Sequence, residues 1–151
     1  MTTITHARGV HVDAPVERVF DHVKDPRSFA AAMAAVEGES HHRLATTTMA
    51  PDDGVGSTWE WEVRFMLLRF HPRTTREEYV PNERIVDHTS SGLTWTYGLE
   101  PEGTGTKLTL SGALADRPRA LAQAADAVVW NGDEDLDKML AAFKQAIEAG
   151  A

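Results

Sequence analysis

The chain's 151 residues suit one domain, large enough to bury about two-thirds of its unfolded surface without a covalent staple. It carries 15 Lys and Arg against 23 Asp and Glu, and the resulting formal charge of −8 argues against nucleic acid or an anionic membrane as the default partner. Cysteine is absent, which excludes disulfides, thiolate zinc sites and cysteine nucleophiles and is compatible with a reducing cytoplasm.

Met1-Thr2-Thr3-Ile4-Thr5-His6 lacks the basic and apolar segments of a signal peptide. No apolar run approaches the roughly twenty residues that span a bilayer, so no integral membrane association is expected. Thr2 to Val12 then alternates as a first strand, with Ile4, Val10 and Val12 on one face, and stops at Asp13-Ala14-Pro15. Pro15 fits the first position of a helix whose apolar face is Val16, Val19, Phe20 and Val23. Asp25 can cap a second short helix from Pro26, with Phe29, Met33 and Val36 turned inward and Gly38 closing it.

Glu39 to Met49 reads as a polar strand and Pro51-Asp52-Asp53-Gly54 as a turn joining antiparallel neighbours. Ser57 to Phe70 reads as the next strand, with Trp59, Trp61, Val63, Phe65 and Leu67 opposite Thr58, Glu60, Glu62 and Arg64. Arg69 falls on the apolar face unless Met66-Leu67-Leu68, which breaks the alternation, forms a bulge. Strands follow over Thr74 to Val80 and Arg84 to Ser90. Another carries Leu93, Trp95, Tyr97 and Leu99 on its inner face, and after a Pro101 to Gly105 hairpin loop the last runs from Thr106 to Leu114 with Leu108, Leu110 and Leu114 inward.

Arg117 to Ala149 reads as a long amphipathic helix, with Leu121, Ala125, Val128, Gly132, Leu136, Leu140, Phe143 and Ile147 at three- and four-residue steps. Asn131-Gly132 is turn-prone, and Asp133-Glu134-Asp135 would suit the first turn of a new helix. The unbroken stripe favours one continuous, kinked helix over two. The expected class is α+β, in the order β-α-α-β-β-β-β-β-β-α, a curved antiparallel sheet around the C-terminal helix, in a single domain spanning 1–151.

Val12-Asp13-Ala14-Pro15-Val16-Glu17-Arg18-Val19-Phe20, followed by Asp25-Pro26, resembles the opening of the START-like or Bet v 1-like (SRPBCC) superfamily. Glu102-Gly103-Thr104-Gly105-Thr106-Lys107-Leu108 resembles its late hairpin, and the nearest subgroup is the polyketide cyclase/dehydrase and lipid-transport group. The resemblance covers nearly the whole chain and implies a helix-grip fold, in which about seven strands wrap the C-terminal helix and leave a cavity between them.

Trp59, Trp61 and Trp95 fall on inward faces and Trp130 lies beside Gly132. Core packing is the ordinary role of any one of them, but together they suit the wall of a ligand cavity, with Phe65, Tyr97 and Leu136. Gly132 in mid-helix would cost about 1 kcal/mol relative to Ala, which a kink or the close approach of a ligand would explain. Arg69 among Trp59, Trp61 and Phe65 would need a carboxylate or ligand oxygen to offset its burial, and is a candidate to polarise a ketone. Tyr97 is a candidate hydrogen-bond donor. Asp87 and His88 sit on opposite faces, so one of them looks inward as a candidate acid or base.

The other histidines show no ligand spacing, and neither a phosphate loop nor a nucleophile elbow is present, so no metal and no cofactor are expected. Three functional classes are open: an enzyme resembling polyketide cyclases and dehydratases, a non-catalytic carrier or sensor of a hydrophobic ligand, or a co-chaperone-like interaction module. Sequence does not separate the first two, which need the same cavity. A cytoplasmic monomer or homodimer with a small hydrophobic or aromatic ligand is expected.

Overall fold

A computed structural model describes residues 3–37, 42–65, 67–115 and 132–150. Its elements are β1 (Thr3–Val12), α1 (Val16–Val23), α2 (Pro26–Glu37), β2 (His42–Thr48), β3 (Thr58–Phe65), β4 (Leu68–Phe70), β5 (Arg73–Val80), β6 (Arg84–Thr89), β7 (Leu93–Glu102), β8 (Gly105–Ala115) and α3 (Gly132–Glu148). The sheet is antiparallel in the order β1-β8-β7-β6-β5-β3-β2, with β4 paired to β3 off this path. Its concave face holds the C-terminal helix in a helix grip.

Two expectations are corrected. Ser57 to Phe70 is not one strand: after Phe65 the chain folds back, and Val63, Arg64 and Phe65 pair with Phe70, Arg69 and Leu68. The break in alternation at Met66-Leu67-Leu68 therefore marks a hairpin, which is why the sheet has eight strands. The C-terminal helix does not run through Gly132 as a right-handed helix either. Gly132 has φ +50°, outside the right-handed region, and α3 begins there with Asp133, Glu134 and Asp135 in its first turn, where carboxylates complement the helix dipole. The proposed helical stretch from Arg117 to Asn131 lies outside the described residues.

The apolar stripe of α3 places Leu136, Met139, Leu140, Phe143 and Ile147 in a core with Val12, Val19, Phe20, Tyr97, Leu108 and Leu110. Trp59, Trp61 and Val63 form a second cluster, covered by Phe29 and Ala30 of α2 with Leu44, Met49 and Phe70. The tryptophan face of β3 thus meets α2 and not the C-terminal helix. Between the two clusters sits the aromatic ring of Phe29, 5.6 Å from Trp61 and 5.1 Å from Trp95.

Candidate functional site

The β5–β6 hairpin sets the polar centre of the molecule. From its turn the register runs Val80↔Arg84, Tyr79↔Ile85 and Glu78↔Val86, and then shifts so that Arg76, not Glu77, faces Asp87. A regular ladder would set Glu77 against Asp87, two like charges directly opposite, which is unfavourable. The bulge replaces that clash with an ion pair.

Arg76 is 1% exposed and Asp87 5%. The guanidinium donates to Asp87 from Nε to Oδ1 (2.9 Å) and from Nη2 to Oδ2 (3.2 Å), to the Asp53 carbonyl from Nη1 (2.8 Å) and to the Lys24 carbonyl from Nη2 (3.0 Å). It also lies 5.2 Å from the Trp59 ring centroid and 5.6 Å from that of Tyr79, a cation–π arrangement. A guanidinium has five N–H groups, so among the described residues one Nη1–H of Arg76 donates to nothing. Burial pushes the Asp87 carboxyl above its ordinary range, with Arg76 opposing the shift. Tyr97 is fully buried and its phenol is pushed well up by burial, with the Asp87 charge adding to the effect.

Around this pair Val23, Pro26, Phe29, Trp59, Thr74, Trp95 and Tyr97 line an inner pocket with about 10 Å³ of space, room for one water molecule. Trp61 backs it: its indole donates to Thr74 Oγ1 at 3.0 Å, and the Thr74 and Thr89 hydroxyls are 2.8 Å apart. Pro26 also lines an outer cleft of about 440 Å³ between the α1–α2 corner and β2, with Lys24, Arg27, Leu44, Met49 and Asp53 among its walls. That volume falls in the range of small-molecule sites. Between cleft and pocket stand the Lys24 and Asp53 carbonyls that Arg76 holds, reinforced by the Lys24 Nζ to Asp53 Oδ2 ion pair at 3.4 Å.

The structure brings together Trp59, Trp95, Tyr97 and Asp87 of the residues singled out by sequence. Arg69 is not among them: it is exposed on β4, directly opposite Arg64, because the hairpin carries it out of the concave face. His88 faces away from the pocket, half-buried, with Nδ1 2.8 Å from Thr94 Oγ1. Leu136 is buried in the α3 core and does not line the pocket. Gly132 lies against the His6 ring, where an added Cβ would be 2.8 Å from Cε1, and it is not among the residues that line the pocket. The side chain of Phe65 and the whole of Trp130 lie outside the described residues.

Sequence reading missed Arg76. It lies on the inward alternation of β5 with Thr74, but the bulge hides its pairing with Asp87 from any count made outward from the turn. Among the described residues no three His, Asp or Glu side chains converge as a metal-ligand set. No described helix is long and apolar enough to cross a membrane.

An eight-stranded antiparallel sheet gripping a C-terminal helix, with two short helices after the first strand, defines the Bet v 1-like helix-grip fold. The chain belongs, within it, to the polyketide cyclase / dehydrase and lipid transport family, whose profile matches residues 1–148. Similar solved structures include the KanY protein (14% identity, 98% of this chain and 99% of that one, TM-score 0.67). The Polyketide_cyc-like protein Cgl2372 from Corynebacterium glutamicum is 16% identical over 99% of this chain and 94% of that one, with a TM-score of 0.66. Ara h 8.0201 is 9% identical over 98% and 99%, with a TM-score of 0.63. These likenesses are of fold. No curated protein matches the chain by sequence.

Proposed function

We propose that the protein binds an oxygenated aromatic or hydrophobic small molecule, which occupies the outer cleft and directs a ring past Pro26 toward the inner pocket. The observation that carries this reading is the buried Arg76–Asp87 pair in a wall otherwise made of Trp59, Phe29, Trp95 and Tyr97. An ion pair buried among rings is weak evidence for stability, since apolar residues of the same volume often serve as well. A pocket whose few polar groups fix the orientation of an apolar ligand gives the pair a use. The spare Arg76 N–H suits a ligand carbonyl or phenolate oxygen. Family membership supports the same class of ligand.

Turnover of a poly-β-ketone is the second reading, favoured by the raised pKa of Asp87. In it the Asp87 carboxylate removes the proton next to a ketone, and Arg76 holds the oxygen as the enolate charge develops. The enolate carbon then bonds to a second ketone of the same chain, whose oxygen takes the proton back from Asp87 as a hydroxyl. A second proton removal by Asp87 at the new bond expels that hydroxyl, which takes the proton and leaves as water. The role assigned to Arg69 from sequence passes to Arg76.

Native mass spectrometry of freshly purified protein, with titration of an aromatic ketone against tryptophan fluorescence, tests the binding. A co-purifying mass or saturable quenching is expected, weakened in Trp95→Leu. If nothing co-purifies and no aromatic ketone quenches, the reading fails.

A further inference from the structure

The β3–β4 hairpin has chemistry that the pocket does not use. Leu67 at its tip is fully exposed and Leu68 is 46% exposed, two of the four large apolar side chains that stand in solvent among the described residues. β4 pairs with β3 on one edge, and no described strand pairs with the other. Arg64 and Arg69 flank the leucines directly opposite each other, both exposed. Like charges in that position destabilise a ladder, so neither the leucines nor the arginines are explained by the fold itself.

Nearby, Arg43 donates to Glu62 at 3.0 Å, and Arg64 Nε lies 3.7 Å from the same carboxylate. Among the described residues Glu62 is the one carboxylate that Arg43 and Arg64 contact, with the Arg69 charge also acting on it, so the three guanidinium groups outnumber it by two on a chain of formal charge −8. The patch is a convex tip, apolar at its end and basic behind. A protein partner would need a pocket cut to receive it, whereas a lipid surface deforms around such a tip and supplies acyl chains and anionic headgroups at the matching depths. We infer that the β3–β4 hairpin docks the protein peripherally on an anionic lipid surface, with Leu67 and Leu68 in the acyl boundary and Arg64 and Arg69 at the headgroups. Repulsion by the rest of the chain is screened beyond about 10 Å at moderate salt, so the local charge decides once the tip is in contact.

The inference does not depend on what the pocket binds. Phe70, at the base of the hairpin, packs on the Trp59-Trp61-Val63 cluster, as do Leu44 and Met49 of the outer cleft. Docking by the tip would therefore hold the cleft close to a membrane that stores hydrophobic ligands.

Co-sedimentation tests it with vesicles of phosphatidylcholine alone and of phosphatidylcholine and phosphatidylglycerol in equal parts. The wild-type chain is expected to pellet with the anionic vesicles, less at high salt, and not with the neutral ones. Leu67→Ser/Leu68→Ser should weaken binding at least about tenfold, and Arg64→Gln/Arg69→Gln about tenfold with loss of the salt dependence. Unchanged melting curves establish that both variants fold, as expected for exposed positions. Absence of binding at low salt would overturn the inference, as would binding that survives both double substitutions. So would concentration-dependent self-association in sedimentation that Leu67→Ser/Leu68→Ser abolishes, since the tip would then be a contact between two copies of this chain.

Discussion

Arg76 on β5 and Asp87 on β6 face each other across a β-bulge and form a two-point ion pair that is almost wholly withdrawn from solvent. The two partners respond differently when separated. Asp87 can escape an unpaired charge by taking up a proton, and its pKa is already raised by burial with only Arg76 opposing. Arg76 has no such escape, because a guanidinium stays protonated. At neutral pH Asp87→Asn and Arg76→Met should therefore each cost about 3–5 kcal/mol, but only Arg76→Met leaves a group at this position that can take up a proton to relieve the loss. In Arg76→Met the native state holds a proton that the unfolded chain, with an ordinary carboxyl, has released. Stability then falls as pH rises from the ordinary carboxylate range through the raised native pKa and levels off above it. The double variant Arg76→Met/Asp87→Leu should regain most of the loss. Urea melts at mildly acid and neutral pH check this, and equal pH dependence in both single variants would contradict it.

How much of this was legible in sequence follows from which interactions are local. Alternation in β7 and β8 placed Trp95, Tyr97, Leu108 and Leu110 on the inner face, since period two needs no knowledge of partners. Arg76 was illegible because its partner is set by a bulge, which moves the pairing by one residue without a mark in composition. Arg69 is ambiguous for the opposite reason: the reversal after Phe65 lacks the Gly, Pro or Asn that usually signals a turn, so the broken alternation at Met66-Leu67-Leu68 admits a bulge as readily as a hairpin. The division of the interior into an α3 core and an α2-covered tryptophan cluster is tertiary, and no periodicity encodes it.

Gly132 gives a sharper local test. Its φ of +50° favours glycine, and an added Cβ would lie 2.8 Å from Cε1 of a His6 ring that is itself held 3.1 Å from Asp133 Oδ1. Gly132→Ala should cost about 1–3 kcal/mol, joining backbone strain to the steric conflict. In Gly132→Ala/His6→Ala the steric part disappears and about 1 kcal/mol of backbone strain remains. A double-mutant cycle by thermal melting separates the two, and a coupling energy of zero would show that the ring moves aside freely.

His11 predicts a pH dependence of opposite sign. Its Nδ1 lies 2.6 Å from Glu102 Oε1 and its Nε2 3.0 Å from Asp13 Oδ1, so the ring joins β1 to the β7–β8 hairpin. The bond to Glu102 and then that to Asp13 raise the imidazole pKa above its ordinary value. A base raised in the native state binds its proton there more tightly than in the unfolded chain. Its stabilisation is therefore complete below the unfolded pKa of about 6.5 and is lost as pH rises through the native value. The wild-type chain should melt above His11→Gln in acid, and the gap should close on the alkaline side. Both carboxylates are solvent-exposed, so added salt should narrow the gap. Glu102→Gln removes the largest cause and should bring the histidine titration, followed by NMR, down toward its ordinary midpoint. A melting gap that does not change with pH would mean that His11 acts by packing alone, and that its two carboxylate contacts do not hold the charged ring in solution.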